Sequence, residues 1–436
     1  MDPLLEILLL LGGVIAGIIL LISVFKVHPA ISLALAAVIT GILLGLPAET
    51  IASALFEGFV NVLAGVGIII ILGAILGILM EHSGALNSII AYIVRIFGPD
   101  RPVISLSVLG LFIGIPVFCD SGFIILSKVA NNIADLKKLP RRTTAVALGG
   151  GLYAAHTLIP PTPGPVAAAG NLQFGDHLGL VLISGLLVSV PVVLVLILTA
   201  GIISKKGKAE APIEKAQTEA EPVLSLLFPV ILAILLIAAG SFIRIEFKDQ
   251  LSEWVMWIFH PITALALACL IAYFQINRDY RSRSLITKGL KDALPSVLIT
   301  CMGGAFGQVL RESSLITVIS DMFDASGGGS GHLLLIGFIA AVIIKSAQGS
   351  STAAIVIASS LVFPLTEGMG VMETALLISA IGSGSMAVSH ANDSYFWVVS
   401  RFSGMSVRES YTYFSLTTLL LAITGFAGCW LLLQLV

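Results

Sequence analysis

Four stretches of this chain carry residues that could move a proton or hold an anion. Asp120 stands in Gly-Ile-Pro-Val-Phe-Cys-Asp-Ser-Gly-Phe (114–123) and His156 in His-Thr-Leu-Ile-Pro-Pro-Thr-Pro-Gly-Pro (156–165). His390 and Asp393 stand in Ser-His-Ala-Asn-Asp-Ser (389–394), shortly after Gly-Ser-Gly-Ser (382–385). The fourth stretch, Lys-Ser-Ala-Gln-Gly-Ser-Ser-Thr (345–352), offers hydroxyls, an amide and backbone N–H groups. All four interrupt long apolar runs. In hydrocarbon a broken helix leaves N–H and C=O groups without partners, and such breaks persist only where protein or a polar cavity satisfies them. The breaks therefore mark a site.

A carboxylate at the depth of Asp120 is costly if charged and alone, so it must be protonated, paired with a cation or reached by water. Asp120 is thus a candidate proton carrier, with Ser121 and Gly122 beside it as substrate contacts; the plainer reading is an aspartate capping the amides of Ser121 and Gly122. The turn Gln348, Gly349, Ser350, Ser351 and Thr352 can present N–H groups at a helix start, where the helix dipole favours an anion, and its plainer reading is a Ser/Thr cap. His156, Thr157 and Thr162 line a first, proline-rich break, and His390, Asn392 and Ser394 a second break rich in Gly and Ser. Prolines at this density cannot continue a helix. His390 and Asp393, three residues apart, are expected as neighbours on one helix face. His156, His390 and Asp393 compete with Asp120 as proton carriers, since imidazole titrates near neutral pH, although a membrane histidine can equally be a hydrogen-bonded structural group. Neither metal nor cofactor is implied: no His-x-x-x-His or His-Glu pair has ligand spacing, and Cys119, Cys269, Cys301 and Cys429 are scattered.

The elements that must position these residues are membrane helices. Of 436 residues 57% are hydrophobic and 11% charged, against about 25% charged in ordinary soluble domains, and the mean hydropathy is +1.05. A net charge of -2 gives no support to nucleic-acid binding. The fold class is an all-α polytopic membrane protein. Residues 102 to 134 form two arms around the Pro116 to Gly122 break, each short of the ~20 apolar residues of a crossing, which predicts a re-entrant hairpin. Residues 204 to 222, rich in Lys, Glu, Ala and Pro, are a solvated linker dividing the chain into halves 1–203 and 223–436.

The second half repeats the first. Val27-His28-Pro29 returns as Phe259-His260-Pro261, and the Gly73 to Gly77 segment as Gly303 to Gly307. Cys119-Asp120-Ser121-Gly122 falls on Gly349-Ser350-Ser351-Thr352, and Gly150 to His156 on Gly384 to His390. With about five spans plus one hairpin per half and the N-terminus outside, 19 of the 23 basic residues fall inside, as the positive-inside rule requires. The exceptions are Arg244, Lys248, Arg311 and Lys345. An odd number of crossings inverts the copies, and inverted repeats with paired broken helices at their interface are the build of secondary transporters.

These segments together resemble the gluconate permease family of proton symporters: Pro-Val-Phe-Cys-Asp-Ser-Gly-Phe, the His156 to Pro165 stretch, Ala347 to Ala353, and Gly382 through Ser394. The resemblance spans nearly the whole chain. It implies a multi-pass carrier of the bacterial inner membrane that brings a sugar acid or small hydroxy acid into the cell with protons. It also implies an elevator-type architecture on inverted repeats, commonly a homodimer, with organic anion, proton and lipid as its partners. One departure stands out: several gluconate-type relatives have Phe/Glu-Val-Gly-Phe where this chain has Cys119-Asp120-Ser121-Gly122-Phe123, which bears on the substrate. The alternatives are a sodium-coupled carrier or cation/proton exchanger on the same architecture, and an intramembrane enzyme built on His156, His390 and Asp393.

Overall fold

The computed structural model describes residues 3–97, 100–205, 224–246, 252–278, 281–313 and 329–436. The linker expected at 204–222 lies almost wholly outside the described residues. Every regular element among the described residues is a helix, and six helices are long and apolar enough to cross a membrane.

In the first half α1 (Pro3–Ser23) and α2 (Pro29–Leu43) precede a long run made of α3 (Ala48–Val62), a π turn at Leu63–Gly67 and α4 (Ile68–His82). Then come α5 (Ala85–Phe97), the pair α6 (Pro102–Gly114) and α7 (Cys119–Leu136), the pair α8 (Arg141–Leu158) and α9 (Pro163–Asn171), and α10 (Leu178–Lys205). The second half runs α11 (Phe228–Glu246), α12 (Glu253–Ile258), α13 (Pro261–Gln275) and α14 (Arg283–Arg311). It continues with α15 (Ser330–Gln348), α16 (Ser351–Val362), α17 (Val371–Gly384), α18 (Ser394–Ser403) and the final helix α19 (Val407–Leu433), which holds a π turn at Ser410–Ser415. Each half thus contains a hairpin of two helices joined at a tight tip, followed by two helices separated by a break.

Local chemistry repeats as well. His28 and His260 each cap the helix that their following proline opens, Nδ1 accepting the N–H of Ala30 and of Ile262 at the same 3.3 Å. These two histidines take the N-cap role that Ser, Thr, Asp or Asn more commonly fill, each before a proline at the first helical position.

Small residues let the breaks enter the core. A side chain at Gly73 would meet the Pro161 carbonyl oxygen at 2.9 Å, and one at Gly77 the Pro116 carbonyl oxygen. One face of α4, with the small-xxx-small spacing of close membrane packing, therefore receives both the first hairpin tip and the first break. Asn171, at the end of α9, donates to the Val356 carbonyl (3.1 Å) and contacts the Ser359 and Ser360 hydroxyls (3.0 and 3.1 Å), fastening α9 to α16 of the other half.

Candidate functional site

Four elements supply the site: the first hairpin tip, the first break, the second hairpin tip and the second break. At the first tip, α6 ends at Gly114 and α7 begins at Cys119, with Phe118 in extended backbone before it. Asp120 is in the first turn of α7. Its Oδ2 lies 3.8 Å from the Cys119 thiol, and its buried Oδ1 has no hydrogen-bond partner. The Gly122 N–H goes to the Phe118 carbonyl (2.8 Å), so Asp120 is no cap for that amide. Gly122 itself packs on Leu152, and Ser121 is exposed.

In the first break, Ile159 leaves helical geometry and Pro163 restarts the chain as α9. The Thr157 hydroxyl is turned back on the Tyr153 carbonyl (3.1 Å) and the Thr162 hydroxyl on the Ile159 carbonyl (2.6 Å). His156 is buried; its Nε2 lies 3.4 Å from the Thr352 hydroxyl, and its Nδ1 has no partner. The first break thereby touches the second hairpin tip. Tyr153, one turn earlier on α8, makes a second such link through its hydroxyl, 2.6 Å from Ser351 Oγ and 3.3 Å from the Ser385 carbonyl.

The second tip turns on Gly349, whose φ of +87° is left-handed and favours glycine. A Cβ there would also strike the Asn392 carbonyl. Ser350 is the N-cap of α16, its hydroxyl accepting the Ala353 N–H (3.3 Å). Gln348 has neither amide atom partnered.

The second break corrects one expectation. His390 and Asp393 do not share a helix face, because residues 386–393 are non-helical and Asp393 is the N-cap of α18, accepting the Tyr395 N–H at 3.0 Å. An aspartate at a helix start satisfies N–H groups that a mid-helix position would not offer. His390 Nε2 and Asn392 Nδ2 both reach the Ser346 carbonyl (2.9 Å each), clipping the break onto the end of α15. Ser394 is exposed at the first position of α18.

At the centre, Lys345 of α15 is completely buried and pairs with Asp393, Nζ to Oδ2 at 2.6 Å, while donating also to the Gly349 carbonyl at 2.7 Å. Asp393 Oδ2 accepts from Ser389 as well (2.5 Å). Ser389 is held in turn by Thr418 through its N–H (3.0 Å) and by Ser415 through its carbonyl. Lys345 Nζ stands 5.8 Å from the Tyr153 ring centroid, and Phe123, Tyr153, Tyr395 and Phe414 pack as an aromatic cluster beside it. The assembly is a buried Lys345–Asp393 ion pair, with unpartnered polar atoms of Asp120, His156 and Gln348 on the tips and break around it.

A family model described as "GntP family permease" matches residues 5–436. The chain belongs to the GntP permease family. A gluconate permease of Pseudomonas aeruginosa is 32% identical, with 94% of each chain covered. The D-serine transporter DsdX of Escherichia coli is 28% identical, with 95% of each covered. Among solved structures, the YdaH transporter of Alcanivorax borkumensis superposes with a TM-score of 0.68 over 94% of this chain and 98% of that one; at 15% identity the likeness is one of fold. GntP proteins are permeases, not enzymes, and this member is a multi-pass membrane protein.

Within this GntP permease, the geometry adds three residues to those picked out by motif: Lys345, Tyr153 and Asn171. Lys345 carried a visible signal, a lysine closing the apolar run Leu333 to Ile344, since an ionisable group inside a span is by default functional. Tyr153 and Asn171 had no such signal, because their partners Ser351 and Ser359 lie about 190 residues away or more in the chain. The proposed contacts Thr157, Thr162, Gly122 and Gly349 are instead committed to backbone and packing. His156 and Thr352 meet, Ser351 joins them through Tyr153, and Gln348 ends the helix before the same tip.

Proposed function

We propose that this permease is a proton-coupled secondary carrier of a small organic acid with a polar group next to its carboxylate, gluconate or a similar sugar acid being the leading case. The observation that carries the reading is that both tips and the first break hold buried, unpartnered polar atoms: Asp120 Oδ1, His156 Nδ1 and the Gln348 amide. Buried polar atoms are ordinarily hydrogen-bonded, and a hydroxylated acid supplies the missing donors and acceptors. Gluconate and D-serine, the substrates in the relatives' names, share a carboxylate with a polar substituent on the adjacent carbon.

The carrier reading includes two inverted repeats, each with a re-entrant hairpin, and an elevator-type exchange of the site between the two membrane faces. It is supported by the repeated helix order, the matching His28 and His260 caps, and the distribution of basic residues. Coupling follows from linkage, and an inward proton gradient sets its direction. A substrate carboxylate brought beside ionised Asp120 and Asp393 places three negative charges around one lysine. Substrate therefore binds best when Asp120 is neutral, and protonation by the same linkage favours substrate binding. The proton and the anion then cross together and part on the inside. The test is uptake by proteoliposomes of gluconate, glycerate, idonate, lactate and serine, each with and without an imposed pH gradient. Accumulation of at least one acid that vanishes when the gradient is collapsed is the expected result. Uptake driven by sodium and indifferent to the pH gradient would replace the proton with sodium.

A further inference from the structure

The Lys345 ammonium has the surroundings of a bound ion. Its Nζ is met by the Gly349 carbonyl (2.7 Å), just past the C-terminal end of α15, and by Asp393 Oδ2 (2.6 Å) in the unwound break before α18. Carbonyls at the ends of interrupted helices, with nearby carboxylates, are the ligands with which broken-helix carriers hold an alkali ion. The side chain reaching them has no solvent exposure, and the carboxylate it meets is held from two other directions by Ser389 and the Tyr395 N–H. A monovalent positive charge is thus clamped between the second tip and the second break. The repeat-related position in the first half, 230 residues earlier, is Ile115, which is apolar and buried. Only the second half carries the cation.

We propose that Lys345 is a tethered resident cation, a positioning residue that joins the second hairpin tip to the second helix break where a sodium-coupled carrier would place a free alkali ion. Because the charge is covalently attached, the tip and break are held together at all times, and substrate affinity needs no sodium. The inference rests on the carrier reading above and deepens it by assigning the role of the coupling ion's usual partner site. It also explains why both Asp393 and the left-handed Gly349 are needed: one supplies the countercharge, and the other turns its carbonyl toward the ammonium. Truncating the lysine should convert the tethered site into an open one that takes a soluble cation.

The experiment compares purified wild type with Lys345→Ala and Lys345→Met in sodium chloride and in choline chloride of equal ionic strength. It reads the thermal midpoint and uptake of the acid identified in the proteoliposome panel. Wild type should give the same midpoint and the same uptake in both salts. Lys345→Ala should lose uptake by about tenfold or more in choline chloride and regain both midpoint and uptake with sodium or n-propylammonium, whereas Lys345→Met, which fills the space without charge, should regain neither. Should the single variants fail to fold, the neutral pair Lys345→Met with Asp393→Asn removes the uncompensated charge. It should fold with a wild-type midpoint and lack uptake in either salt. Sodium stabilisation of the wild type, full uptake by Lys345→Met, or a Lys345→Ala protein that no cation restores would each overturn the proposal. The midpoints read the cation site whether or not any acid in the panel is carried, so failure of the carrier reading remains separate.

Discussion

At the scale of single residues, the decisive contrast is between Asp120 and Asp393. Asp393 is saturated: Lys345, Ser389 and the Tyr395 N–H occupy its oxygens, so a proton there would have to displace a buried ion pair, and breaking such a pair costs about 3–5 kcal/mol. Asp120 has a free oxygen and a neighbour, Cys119, that offers only a weak S–H donor. Asp120→Asn should therefore keep substrate binding and exchange but lose accumulation under a pH gradient, with affinity far less dependent on pH. If Asp120→Asn still concentrates substrate and His156→Asn does not, the proton belongs to the imidazole. The same bookkeeping of partners ranks the substrate contacts. Gln348→Ala should weaken substrate affinity about tenfold, the loss of one hydrogen bond to a charged group at roughly 1.5 to 3 kcal/mol, as read by substrate-induced change in thermal midpoint. Thr162→Ala should leave affinity near wild type, since that hydroxyl is already spent on the Ile159 carbonyl; an equal loss in both variants would mean that the break reopens on binding.

At the scale of elements, the tips and breaks are where local sequence and tertiary packing agree. Proline and glycine place them: Pro160 to Pro165 end α8, and Gly349 turns the chain between α15 and α16. That much was legible, because these residues act through their own backbone. The π turns at Leu63–Gly67 and Ser410–Ser415 were not, since the glycines of the one and the serines and tyrosines of the other fit an ordinary helix as well. Nor was it legible that Asp393 would start a helix instead of sharing a face with His390; a three-residue spacing is silent on whether the chain between is wound. Lys345 was counted among exceptions to a charge rule when its meaning lay in partners four and forty-eight residues away. Gly349→Ala isolates the tip. It must tolerate a left-handed backbone, at about 1–2 kcal/mol, and a Cβ against the Asn392 carbonyl. The second break should move off the tip, with uptake falling at least as far as in Gln348→Ala and the thermal midpoint lowered. A wild-type midpoint and uptake would show that tip and break are not mechanically joined.

At the scale of the whole molecule, three ion pairs among the described residues have a partner within residues 100–142, apart from the central Lys345–Asp393 pair. Lys137 bonds Asp100 at 2.8 Å and holds that carboxyl below its usual range, Arg141 meets Asp135 at 3.3 Å, and Arg142 reaches Glu409 of the other half at 3.0 Å while lying over the Tyr413 ring. The Arg142 to Glu409 bond matters most, because it puts the loop after the first hairpin and the start of the last helix on the same face of the protein. Both segments are rich in basic residues, so the positive-inside rule assigns that face to the cytoplasm. Opposite to it should lie the exposed turn at Glu367 and Gly368, between the second hairpin and α17. On the inverted arrangement proposed above, the two hairpins should enter from opposite sides, the first from the cytoplasm and the second from outside. Single cysteines at Lys138 and Glu367, both exposed, test this directly, the four native cysteines being buried and so slow to react. In intact cells an impermeant maleimide should label the Glu367→Cys protein and spare Lys138→Cys, and in inside-out vesicles the pattern should reverse. Labelling of both from one side would mean that the hairpins enter from the same face, and the inverted arrangement, with the alternating exposure built on it, would have to be given up.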